Sequence, residues 1–64
     1  MNRRDLERHL RDKGCRFIGE GGNHAKWRGP GGQPSTVPRH QEIKPGTVRA
    51  ICKQLGVPPP NSVT

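Results

Sequence analysis

The chain has 64 residues, of which 27% are apolar, and its only aromatic side chains are Phe17 and Trp27. So short a chain buries only about 60% of its unfolded surface, which allows one small domain and excludes a deep substrate cavity. Twelve Lys and Arg against five Asp and Glu give a formal charge of +7, a balance typical of proteins that bind phosphate but shared by basic proteins that are merely soluble.

The first predicted element is a helix over residues 3–13. Leu6 and Leu10 share one face of it, so we expect that face to be buried. His9 lies beside them and is interpreted as a boundary or core residue. Gly14 supplies the left-handed residue that ends the helix.

Three strands are predicted to follow. Residues 15–20 and 23–28 alternate in polarity, and Gly21 and Gly22 between them are expected to form the turn. A Gly- and Pro-rich loop then leads to a third, short strand over 35–38.

The second of these strands has the sharpest alternation. Ala25 and Trp27 share one face, and His24, Lys26 and Arg28 share the other. Because Trp27 is the largest apolar side chain, its face should meet the helices. The other three side chains should therefore lie together on the open face of the sheet.

A second helix begins at Pro45 and ends before Gly56, with an apolar stripe at helical spacing. The predicted core consists of Leu6, Leu10, Phe17, Ala25, Trp27, Val37, Val48, Ile51, Cys52 and Leu55. The element order predicts an α+β two-layer sandwich, α-β-β-β-α, with a three-stranded antiparallel sheet. Residues 1–57 form the domain, and 58–64 are expected to be a Pro-rich disordered tail. Cys15 and Cys52 lack metal-site spacing and are interpreted as buried free thiols.

Two histidines are candidates for acid–base chemistry. His24 follows a glycine turn, where a polymer backbone can approach, and the cations beside it favour its neutral form, which can accept a proton. Cleaving RNA without a metal requires such a base near the 2′-hydroxyl. A solvated surface histidine is the alternative. His40 is either a second acid–base group or phosphate donor, or a loop residue bonded to its own backbone. The carboxylates are scattered, so no metal site and no cofactor are predicted.

An ordered series of residues along the chain is similar to that of one protein family. The series consists of Gly14, Gly22, Asn23, His24, residues 36–40 and 42–47, Ile51, Gln54 and Gly56. Over about residues 3–57 the chain resembles the HicA toxins. The resemblance implies a double-stranded-RNA-binding-like fold, ribosome-independent cleavage of messenger RNA, an antitoxin partner of the HicB type and a cytoplasmic location. The family's catalytic histidine carries over onto His24.

Three positions depart from the family pattern. Asn23 stands where the family usually has Ser, and Ala25 where a second His is common. Gly19 replaces a frequent Arg, which removes a possible phosphate contact. The residues expected to bind RNA phosphates are Lys26, Arg28, Arg39, His40 and Lys44.

Two further functions fit the composition. A non-catalytic RNA-binding module could use the same fold to bind phosphates by shape; such a protein has no need for His24 on the open face and would carry its basic residues on helix ends and loops. A DNA-binding regulator has little support, because no helix-turn-helix spacing is present. No apolar run has the length of a membrane span or signal peptide, so no membrane role is predicted.

Overall fold

The computed structural model describes residues 1–63 as two α-helices and an antiparallel sheet, which confirms the predicted α-β-β-β-α order. The elements are α1 (Arg3–Asp12), β1 (Arg16–Gly21), β2 (His24–Arg28), β3 (Pro34–Pro38), α2 (Pro45–Leu55) and a short 3-10 helix (Asn61–Val63). The strands lie in the order β1-β2-β3, so β2 is central and pairs with both neighbours.

Local signals define the first helix. The Asn2 side chain accepts a hydrogen bond of 2.7 Å from the Arg4 amide, which satisfies one of the free N–H groups at the helix start. Gly14 follows the helix with a φ of 89°, a conformation that favours glycine. Leu6 and Leu10 lie on the inner face of the helix and are fully buried, as their spacing predicted.

One hydrophobic cluster joins the helices to one face of the sheet. Its members are Leu6, Leu10, Cys15, Ala25, Trp27, Val37, Ile43, Val48, Ile51, Cys52, Leu55 and Val57. Trp27 is the largest of them and is 1% exposed, which confirms that its face of β2 meets the helices. Both cysteines are free, and burial raises the pKa of each thiol.

The placement of Phe17 in the core was wrong. Its side chain is 47% exposed and packs edge-on against Trp27 at the rim of the cluster, with ring centroids 5.8 Å apart. Phe17 faces the helix side of the sheet, because it pairs with Trp27, but β1 is an edge strand and the core cluster has no member in it. After Phe17 the next paired residue is Gly19, opposite Lys26. Ile18 is therefore the extra residue of a β-bulge.

The hairpin turn is also shifted by one residue from its predicted place. Gly21 pairs with His24 and belongs to β1, so the two turn residues are Gly22 and Asn23. Gly22 has a φ of 63°, as glycine does at the first central position of a type II′ turn. Because Gly21 belongs to β1, the paired part of the hairpin extends to His24, the first residue of β2.

Residues at both ends of the chain contact the rest of the domain, which composition alone does not indicate. The Met1 amino group donates to the Ile43 carbonyl at 2.7 Å and pairs with Glu42 at 2.6 Å. Residues 58–64 were predicted to be disordered, whereas the structure gives residues 58–62 contacts with the domain: Pro60 is buried, and His9 Nε2 donates to the Pro58 carbonyl at 2.8 Å. Composition does not show which prolines find a surface to pack against. Thr64 lies outside the described residues.

Candidate functional site

The candidate site lies on the face of the sheet that the helices leave open. Along β2 the side chains alternate between exposed and buried, with His24, Lys26 and Arg28 exposed and Ala25 and Trp27 buried. The predicted row of one imidazole and two cations therefore exists, because the requirement to bury Trp27 fixes the face of every other residue in the strand.

His24 is the first residue of β2 and directly follows the two-residue turn. Across the sheet it pairs with Gly21 on one side and Pro38 on the other. Gly21 has no side chain, and Pro38 is a compact ring, so neither neighbour covers the imidazole. His24 is exposed, and a long polymer has room to approach it.

Lys26 leans toward the His24 end of the strand. A side chain at Gly21 would place its Cβ 2.7 Å from Lys26 Cε and 3.6 Å from Lys26 Nζ. Since Gly21 is the residue directly opposite His24, the lysine side chain runs over the space that glycine leaves and brings its ammonium group toward the imidazole. The missing side chain at position 21 is thus what allows this arrangement.

Arg28 is held at the far end of the row. Its Nη1 donates a hydrogen bond of 2.9 Å to the Gly32 carbonyl in the loop between β2 and β3. Arg16 pairs with Arg28 across the strands, so two guanidinium groups lie on the same face. Arg16 was not among the residues predicted to bind RNA, although its alternation with Cys15 and Phe17 in the first strand indicates the open face.

The open face carries no negative charge at its paired positions. On β1 and β3 these positions are occupied by Arg16, Gly19, Gly21, Pro34, Thr36 and Pro38. With Lys26 and Arg28 they give three cations beside His24. A surface of this kind attracts a polyanion.

Arg39 does not join this surface. Its Nη1 forms an ion pair of 3.1 Å with Glu20, and Glu20 is paired with Ala25, whose side chain faces the helices. Arg39 also shares grooves with Arg3 and Glu7 of α1. The structure therefore does not bring it to His24, because the chain turns toward α1 after β3 ends.

His40 and Lys44 lie beside the start of α2. They line a groove together with Pro38, Glu42, Ile43 and Thr47. Because Pro38 pairs with His24, this groove adjoins the open face at its His24 end. His40 and Lys44 thus border the site and do not form part of the β2 row.

Two findings concern other kinds of site. Within residues 1–63, no three His, Cys, Asp or Glu side chains come close enough together to bind a metal ion. None of the helices in that part of the chain has the length and apolar character needed to cross a membrane.

Comparison with known protein families gives a match over most of the chain. A family model described as the HicA toxin of bacterial toxin-antitoxin matches residues 3–57. The chain belongs to the HicA toxin family. This confirms the resemblance in the sequence, and the match covers every element that builds the open face. No curated protein and no solved structure matches the chain. HicA proteins are the toxin members of toxin–antitoxin pairs, so the chain is a toxin that has an antitoxin partner.

Proposed function

We propose that this HicA toxin is an endonuclease that cleaves messenger RNA independently of the ribosome and without a metal ion. The observation that carries the proposal is the exposed imidazole of His24 on a face that also carries Lys26 and Arg28 and has no acidic residue at its paired positions. A binding protein needs the cations of that face but not the imidazole. RNA cleavage needs both.

In the proposed reaction the neutral His24 imidazole removes the proton of a ribose 2′-hydroxyl. The 2′ oxygen attacks the adjacent phosphorus, and the bond between that phosphorus and the 5′ oxygen of the next nucleotide breaks. The leaving oxygen takes a proton from the imidazolium or from water. Lys26 stabilises the negative charge that develops on the phosphoryl oxygens. The products are a 2′,3′-cyclic phosphate and a 5′-hydroxyl.

The remaining cations supply binding. Arg28 and Lys26 lie along one strand, so they can follow a phosphate backbone that passes His24. Lys44 and His40 extend this surface toward α2. Arg39 is paired with Glu20 on the helix side, and we assign it no direct role in binding the cleaved strand.

A non-catalytic RNA-binding module is the second candidate, because α1 also carries basic residues. Arg3, Arg4 and Arg11 border grooves on that side of the molecule. Glu7 and Glu20 line the same grooves, however, and lower their net charge. The open face is the more strongly cationic of the two surfaces, which favours the nuclease.

The antitoxin partner is proposed to be of the HicB type and to act by covering the open face. A surface with three uncompensated cations is best matched by an acidic partner. Since messenger RNA is the proposed substrate, we place the toxin in the cytoplasm. A complex in which the antitoxin leaves His24 uncovered would contradict this part of the proposal.

The proposal is tested by separating cleavage from binding. His24→Ala is expected to lower the rate of RNA cleavage by about 10²- to 10⁴-fold, while the affinity for RNA stays within about twofold because the phosphate contacts remain. His9→Gln is the matched control: it removes a different imidazole and keeps a donor for the Pro58 carbonyl. Cleavage by His24→Ala at the rate of the unmodified toxin would refute the role of His24, and absence of cleavage by the unmodified toxin would favour the binding module.

A further inference from the structure

The β-bulge at Ile18 places an apolar side chain on the otherwise polar open face. Ile18 has no partner in β2 and is 50% exposed. Bulges are common beside functional sites. Ile18 follows Phe17, which faces the helices, and lies on the open side of β1, where it lines a groove with Lys26, Arg28, Pro34 and Thr36.

This groove crosses the three strands at the end of the sheet away from His24. It is lined by Ile18 and by residues of β2, β3 and α2, namely Lys26, Trp27, Arg28, Pro34, Ser35, Thr36 and Gln54. The carbon stems of Lys26 and Arg28 can cover apolar surface while their charged ends stay in water. Phe17 and Ile18 are the large apolar side chains that the described residues leave exposed, and of the two only Ile18 lines this groove.

The rim of the groove is positively charged. Arg16 and Arg28 are direct cross-strand partners, and like charges in that relation destabilise a sheet. Arg28 is held in place by its hydrogen bond to the Gly32 carbonyl. An anion between the two guanidinium groups would remove the repulsion.

We propose that this groove binds one nucleobase of a single-stranded RNA, next to the nucleotide that is cleaved at His24. The base lies on Ile18 and Pro34, and its flanking phosphates contact Lys26 on one side and the Arg16–Arg28 pair on the other. An apolar floor between cations matches the alternation of base and phosphate in a single strand. This inference rests on the proposed function, because it places the groove on the substrate's path.

The geometry also fixes which nucleotide is bound. His24 and Arg28 lie four residues apart on one strand, which corresponds to about 13 Å at roughly 3.3 Å per residue. The groove at the Arg28 end is therefore too far from His24 to hold the ribose that reacts. It binds a neighbour, and it recognises the presence and size of the base by apolar contact with Ile18 and Pro34.

The test measures affinity with a substrate that is not cut. The probes are a short labelled single-stranded RNA that carries a 2′-deoxy nucleotide at the mapped cleavage site, and a set of the same RNAs with one abasic nucleotide at each position near that site. Ile18→Ser is expected to weaken binding of the complete RNA about fivefold, as loss of part of a base-stacking contact does. The RNA that lacks the bound base should bind both proteins equally.

Two further variants make the result specific. Ile18→Phe enlarges the platform and should tighten binding of the complete RNA, whereas Phe17→Leu changes the neighbouring residue on the opposite side of the sheet and should leave it unchanged. Equal weakening of complete and abasic RNAs by Ile18→Ser would overturn the base subsite. So would no weakening at all, which is the outcome expected if the groove binds only a protein. Because the comparison measures affinity alone, its result does not depend on whether His24 is the catalytic base; absence of any cleavage site to map would instead count against the proposed function.

Discussion

Replacement of Trp27 is the most demanding test of the fold that presents the open face. Trp27 is 1% exposed and lies at the centre of the only large cluster in residues 1–63. Trp27→Ala should cost about 3–5 kcal/mol through lost burial and the cavity left behind. A domain of this size has a total stability of about 3–10 kcal/mol, so the variant should lose about a third or more of its stability and should unfold if the unmodified chain lies at the low end of that range.

Trp27→Phe should behave very differently. The indole Nε1 is buried and has no hydrogen-bond partner among residues 1–63, and an unsatisfied buried donor costs about 1–3 kcal/mol. Phenylalanine removes that donor and keeps an aromatic ring. The free energy gained by removing the unpaired donor should therefore offset the free energy lost with the smaller ring volume. We expect a change in the free energy of unfolding within about 1 kcal/mol.

Urea denaturation followed by far-UV circular dichroism measures both variants, since Trp27 is the only tryptophan and its fluorescence is lost. The urea midpoint should shift without a change in the m-value for Trp27→Phe. A Trp27→Ala protein within 1 kcal/mol of the unmodified chain would refute the central position of the indole. A Trp27→Phe protein as unstable as Trp27→Ala would show that the unpaired indole N–H group does not destabilise the folded state.

The remaining predictions concern the open face. Lys26→Ala and Arg28→Ala should each reduce the slope of log affinity against log salt by about 0.7. Arg39→Ala should leave the slope unchanged, because Arg39 pairs with Glu20 on the other side of the sheet. Equal slopes for all three variants would contradict the assignment of these residues to the two faces. Gly21→Ala should displace the Lys26 side chain and lower RNA cleavage about tenfold with the fold intact, whereas Gly19→Ala, where a Cβ meets nothing within 4 Å, should not. An unchanged rate for Gly21→Ala would contradict the proposed role of the Lys26 ammonium.

The sequence alone predicted the buried face of an element wherever one large side chain or a regular spacing of apolar residues determines that face. The alternation around Trp27 predicted that His24, Lys26 and Arg28 share the open face, since a single burial requirement fixes the whole strand. The apolar stripe of α2 predicted its buried residues in the same way.

The rest depends on partners that are distant in sequence. Alternation placed Phe17 on the correct face, opposite Trp27, but could not show that β1 is an edge strand on which Phe17 stays exposed. Arg39 follows β3 directly, but its direction is set by Glu20 from another strand. Likewise, Ile43 was not in the predicted core, and it is buried at a point where its backbone pairs with Met1 from the other end of the chain.

The central claim is that the open face cleaves RNA through the 2′-hydroxyl with His24 as the base. The most direct measurement compares two labelled RNAs in the presence of EDTA, one unmodified and one with a single 2′-deoxy nucleotide at the cleavage site, and identifies the ends of the products. We expect cleavage of the unmodified RNA to a 2′,3′-cyclic phosphate and a 5′-hydroxyl, and no cleavage of the deoxy RNA at that position. Cleavage of the deoxy RNA at an equal rate, or a strict requirement for a divalent metal, would contradict the central claim.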